Sequence, residues 1–146
     1  MSDKNSTSDQ QIIAERASAI MHETDYCAKT LDMSIDKVCP GSATTSMTVS
    51  EKYANGHGYC QGGIIATLAD TAFAHACNSY NKMTVAQKFS IDFIRSAKVG
   101  DRLTAIAKEQ SRGKLTGLYQ IRVFNQDKKL VAIMTGNSFE REGSYF

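Results

Sequence analysis

Asp70 is the only acid in the apolar run 64–77, and no charged residue separates it from Lys52. Just ahead of that run lies a glycine-rich stretch, 55–63, in which Gly56, Gly58, Gly62 and Gly63 let the backbone turn sharply and approach a ligand closely. Free backbone N–H groups at a helix N-terminus hold a polarised oxygen, and a carboxylate further along the helix activates water. Together they are equipment for attacking a carbonyl. Taken singly, glycines before a helix usually make only a turn, and an Asp on an amphipathic helix usually marks its wet side. A helix this apolar is surrounded by protein, however, and an acid in such surroundings calls for a reason.

Other reactive residues lie close by. Gly58-Tyr59-Cys60-Gln61-Gly62 matches a G-x-S-x-G nucleophile elbow with Cys in place of Ser. Residues 51–56 do not read as the buried strand that motif follows, and the only His downstream, His75, belongs to the same helix. Cys60 therefore reads as a small apolar residue packed in the turn. A zinc site from His57, Cys60, His75 and Cys77 fails because His75 and Cys77 are about 200° apart around a helix. No metal is expected; His22 reads as a surface residue and His75 as a helix residue with a local partner.

Positioning these groups requires a helix. The apolar pairs Ile64/Ile65, Leu68/Ala69, Ala72/Phe73 and Ala76/Cys77 recur every four residues and predict one over about 62–80. Asp70 falls on the opposite flank with Thr67, Thr71 and Ala74. Upstream, Ser8 or Asp9 caps a helix over about 10–21, with Ile12, Ile13, Ala17 and Ile20 on one face, and a short helical segment covers 25–30. Strands are expected at 33–39 and 43–49, turned by Pro40-Gly41, and then at 83–94, 103–110, 118–124 and 130–139. The first of the later four alternates, with Phe89, Ile91 and Phe93 on one face and Lys88, Ser90 and Asp92 on the other. Residues 1–8 read as a disordered tail and 9–146 as a single domain.

Six closely spaced strands and one long apolar helix imply an α+β domain whose antiparallel sheet curls around the helix, with helical segments at the N-terminus. Such a sheet keeps edges and an uncovered outer face, so a homo-oligomer joined edge to edge is expected. With 42% hydrophobic residues in 146, the chain has enough core to fold alone. A net charge of +2, interspersed signs and no Trp give no case for nucleic acid. The polar N-terminus lacks the apolar segment of a signal peptide, and 63–77 is too short to span a bilayer, so a cytoplasmic protein with reduced cysteines is expected.

The layout and the central stretch resemble the hotdog fold and, within it, the PaaI-type acyl-CoA thioesterases of phenylacetic acid degradation. The residues that carry the likeness are Asn55-Gly56-His57, Cys60, Gly62-Gly63, the run 68–74 (LADTAFA) and 76–79 (ACNS), with further similarity at 91–95 (IDFIR), Gly100-Asp101 and 113–119 (GKLTGLY). The resemblance implies hydrolysis of (hydroxy)phenylacetyl-CoA or a similar aryl or medium-chain thioester. It implies Asp70 as general base or nucleophile, Gly62 as the N–H that polarises the carbonyl, and Asn55 as the amide that positions water or substrate. It further implies substrate contacts from Gly63, His57, Gln61, Thr71, Arg95 and Lys114, no cofactor beyond the coenzyme A of the substrate, and a homodimer, paired into a tetramer, in which Asn55 and Gly62 of one subunit face Asp70 of the other.

This sequence departs from the family pattern at Gln61, where many relatives carry His, at Ser96, where Pro often follows the Arg, and at Ala86, where some relatives place Ser. Two rival functions stay open at this level. A hotdog hydratase or dehydratase would use His57 for proton transfer, and a non-catalytic module would hold acyl-CoA, with Arg95, Lys98, Arg112 and Lys114 near its phosphates.

Overall fold

The computed structural model describes residues 3–146. Its elements run α1 (Asp3–Glu23), α2 (Tyr26–Thr30), β1 (Ser34–Cys39), β2 (Ser42–Thr48), a single 3-10 turn (Glu51–Tyr53), α3 (Gly62–Cys77), β3 (Thr84–Phe93), β4 (Arg102–Arg112), β5 (Thr116–Phe124) and β6 (Leu130–Glu140). All six strands form one antiparallel sheet in the order β1-β2-β4-β5-β6-β3.

Strict alternation builds the inner face of the sheet. Leu103, Ala105 and Ala107 of β4, Tyr119, Ile121 and Val123 of β5, and Met134 of β6 are buried against α3. Small residues at the centre bring the helix close. The Phe73 ring lies so near the Gly136 backbone that a β-carbon there would sit 2.8 Å from Phe73 Cε1, and it tilts against Tyr119 with centroids 5.3 Å apart. The helix is thus wrapped by the sheet, as the sequence implies.

Four expectations change in detail. Helix α3 stops at Cys77 rather than near Tyr80, because the Asn78 side chain donates to Ala74 O and Thr84 O, each at 2.9 Å, ending the helix and aligning the next strand. Helix α1 begins at Asp3, so residues 3–8 are helical rather than a coil, since extending an existing helix is easy once its first turn has formed; Met1 and Ser2 lie outside the described residues. Its buried face is Ala14, Ala17 and Ser18, while Ile12 is 58% exposed, because small side chains let α1 lie close to the domain. Most tellingly, β3 lies at the edge of the sheet, where its apolar face stays open: Val85, Phe89 and Phe93 are all exposed. A bulge between Ala86 and Lys88 interrupts its register with β6. All four cysteines are free thiols, and no helix among the described residues is long and apolar enough to cross a membrane.

Candidate active site

The glycine-rich stretch folds into a pinned loop. Asn55 Oδ1 accepts from the backbone N–H of His57 at 2.9 Å and of Tyr59 at 3.2 Å, the Asn55 N–H donates to Tyr59 O at 2.7 Å, and Gly58 adopts φ +79°. These bonds occupy the acceptor end of the Asn55 amide and leave its Nδ2 hydrogens available. Further along, Cys60 N–H donates to Ala97 O at 2.8 Å and Gln61 N–H to Tyr53 O at 2.7 Å, fixing the entry into α3.

Gln61 caps α3 through its backbone carbonyl, which accepts from Ile64 at 2.9 Å and Ile65 at 3.3 Å, and its side chain makes no capping bond. The N–H groups of Gly62 and Gly63 have no hydrogen-bond partner among the described residues, at the positive end of the helix. Gly62 opens onto a cleft of about 490 Å³ lined by Asn55, His57, Tyr59, Cys60, Ile65, Phe93, Ile94, Arg95 and Ser96. The volume suits a small organic acyl group. A larger hollow of about 890 Å³ lies between Met83–Val85 and residues 139–143, and neither Gly62 nor Asp70 lines it.

Phe93 is a cleft residue that sequence reasoning did not single out. Read only as one of the apolar residues on one face of a strand, it lies with its ring against Gly62, where a β-carbon would meet Phe93 Cζ at 3.0 Å. The alternation of β3 was visible in the sequence; its place at the sheet edge was not.

Asp70 does not reach this cleft. It lies eight residues beyond Gly62, about 12 Å along the helix axis at 1.5 Å per residue. Its carboxylate is half-buried and makes no hydrogen bond or ion pair among the described residues, and burial raises its pKa above the ordinary 3.8. One chain therefore presents two separate features: an N–H-rich cleft and, further along α3, a carboxylate without a partner among the described residues.

The remaining candidates divide between these regions. Arg95 and His57 border the cleft, and Gly63 is open, with nothing near its missing side chain. Gln61 is exposed outside the cleft lining. Thr71 lies outside the cleft lining: it is buried, and its hydroxyl donates to Thr67 O at 2.9 Å, against Met33. Lys114 lies in the β4–β5 turn, away from Gly62. Arg112 is committed to Glu140 at 3.5 Å and to the Tyr80 ring at 4.0 Å. Cys60 is 4% exposed, burial pushes its thiol up to about 11, and no imidazole bonds to it, so it has none of the activation a nucleophile needs. His75 is fully buried and its partner is Ser18, a distant rather than local residue, while His22 is half-buried rather than on the surface.

Comparison with known proteins decides the family. The model of the thioesterase superfamily matches residues 57–132. The acyl-coenzyme A thioesterase PaaI of Escherichia coli K12 is 45% identical over 124 residues, covering 85% of this chain and 89% of that one. The chain belongs to the thioesterase superfamily. Its fold is the hotdog fold: a solved structure of the E. coli PaaI protein from the phenylacetic acid degradation operon superposes with a TM-score of 0.91 at 42% identity, covering 92% of this chain and 97% of that one. A Streptococcus mutans protein solved with acetyl-CoA bound gives a TM-score of 0.74 at 27% identity, covering 77% and 90% of the two chains. As a member of this superfamily, the protein is a thioester hydrolase.

Proposed function

We propose that the protein hydrolyses acyl-CoA thioesters to a free carboxylic acid and coenzyme A, at a site shared by two copies of the chain. The observation that carries this reading is the pair of half-sites, one holding unpaired N–H donors without a carboxylate and the other holding a carboxylate without a partner. Paired across the two-fold axis of a dimer, they complete each other. The exposed apolar residues Val85, Phe89 and Phe93 on the open edge strand provide the surface for such a dimer, and the apolar residues Leu118 and Phe139, also exposed, leave further surface for pairing dimers.

In this arrangement the thioester carbonyl oxygen accepts from the Gly62 N–H, and the Asn55 amide orients the water or the acyl group. Asp70 of the partner subunit takes a proton from water as the oxygen attacks the carbonyl carbon. The oxyanion is held at the positive helix end, where a preorganised donor contributes most. Collapse breaks the C–S bond and expels the coenzyme A thiolate, a good leaving group because thiols ionise near pH 8.5. Direct attack by Asp70, followed by hydrolysis of the mixed anhydride, uses the same groups. The chemistry needs protein groups and water, with no cofactor beyond the substrate's own coenzyme A. Arg95, on the rim, and Lys98 beside Tyr59 are placed for its phosphates.

Ile65 and Phe93 give the cleft apolar walls suited to an aryl or medium-chain acyl group, and the operon of the E. coli relative favours phenylacetyl-CoA or a hydroxylated form. Such substrates, together with four free thiols, fit a cytoplasmic enzyme. The test is steady-state hydrolysis of aryl-acetyl, benzoyl and straight-chain acyl-CoA by the wild type, Asp70→Asn and Cys60→Ala. Aryl-acetyl preference is expected, with Asp70→Asn reduced by about 10²–10⁴-fold and Cys60→Ala within a few-fold of wild type. A dead Cys60→Ala variant beside an active Asp70→Asn would overturn the mechanism, and binding without cleavage would leave a carrier.

A further inference from the structure

Away from the cleft, three side chains from separate helices converge. His22 lies in the last turn of α1, Asp25 caps α2 and His75 lies in the last turn of α3. One ligating atom from each lies within 4.8 Å of the other two. His75 is 1% exposed, and its Nε2, like the Nδ1 of His22, is buried with no protein hydrogen-bond partner. Two orphaned ring nitrogens beside a carboxylate leave desolvation uncompensated unless something binds between them.

We infer that His22 Nδ1, His75 Nε2 and a carboxylate oxygen of Asp25 bind one divalent transition-metal ion, Zn²⁺ by preference, which ties the α1–α2 corner to the end of the central helix. Imidazole and carboxylate are zinc's usual ligands, and three of them leave a fourth tetrahedral position for water. The surroundings orient them. His75 Nδ1 lies 2.7 Å from Ser18 Oγ; an Nδ1–H donated to that hydroxyl leaves the lone pair on Nε2. Asp25 Oδ1 accepts from Ala28 N–H at 2.9 Å, which holds the carboxylate and leaves its other oxygen for the ion. Burial, and then the neighbouring His22, lower the His75 pKa to about 4, so its imidazole is neutral and ready to coordinate. Both histidines stand at helix C-termini, whose negative ends favour a cation. A cleft of about 440 Å³ that includes Ser18 and His22 in its lining lies beside the group. Bonds near 2.0–2.1 Å would draw the ligands together, a movement within reach of the half-buried His22.

The test titrates chelator-stripped full-length protein with Zn²⁺ by calorimetry and with Co²⁺ by visible absorption, comparing wild type with His22→Ala, Asp25→Asn and Cys27→Ser. Asn caps helices as well as Asp, so Asp25→Asn keeps α2 while removing the charge. The expected result is one ion per chain, tetrahedral Co²⁺ bands, at least about tenfold weaker binding in His22→Ala and Asp25→Asn, and unchanged binding in Cys27→Ser. Absence of stoichiometric binding in the folded wild type, equal affinity in His22→Ala, or loss of binding only in Cys27→Ser would overturn the site.

Discussion

At the scale of single residues, the account turns on Asp70. Burial raises its pKa, so the native state holds the proton more tightly than the unfolded chain does. The sign follows: the ionised carboxylate lowers stability as pH rises from the ordinary value of 3.8 through the raised one, and the deficit persists above it. Asp70→Asn is therefore expected to melt higher than wild type at neutral pH, with the difference vanishing in acid, while the acid limb of kcat/KM in the wild type falls above 3.8. Thermal melts across pH and a pH–rate profile check both; an Asp70→Asn variant that is less stable at pH 7 would contradict the reading. The isolation of this acid was legible from the sequence because it interrupts a long uncharged run. The roles of Thr71 and Phe93 were not, since which flank of a helix meets ligand and which strand ends at an edge depend on tertiary packing. The His22–Asp25–His75 group was hidden for the same reason: its members come from three helices, and the spacing of His22 and Asp25 shows only that they share a helix exit.

At the scale of elements, glycine separates two jobs. Gly136 gives way to the Phe73 ring, and Gly136→Ala, with a β-carbon 2.8 Å from Cε1, is expected to destabilise by about 1–3 kcal/mol through overpacking. Gly63, with nothing within 4 Å of its missing β-carbon, sits in the first turn of α3, where Ala is the better helix former; Gly63→Ala is expected to leave stability unchanged or raise it by up to about 1 kcal/mol. Denaturant melts of the two variants read the opposite signs, and equal destabilisation would show that the first helical turn is under constraint from outside the chain. The elements themselves were readable from period and punctuation, because alternation in strands and four-residue recurrence in α3 record burial directly. Helix ends were less so: the stop at Cys77 is written by the Asn78 amide reaching across to Thr84, a contact that no local pattern announces.

For the whole molecule, the proposed sharing of the site between two chains rests on what the strand order leaves open. The first turn and the middle of α3 carry the two parts of the candidate site about 12 Å apart along the axis, and the sheet leaves its apolar β3 edge open. In the proposed dimer, a two-fold axis covering such an edge would bring each part to the other's counterpart. The decisive measurement mixes two impaired variants, Asp70→Asn and Asn55→Asp, the second chosen because Asp keeps the acceptor that pins His57 and Tyr59 while losing the amide donor. Each is unfolded and refolded alone and together in equal amounts, and acyl-CoA hydrolysis is compared. If the site is shared, half the dimers are mixed, one of their two sites is intact, and activity recovers to about a quarter of wild type per chain. Activity of the mixture no greater than the average of the two variants refolded alone would show that each chain carries its whole site, contradicting the account.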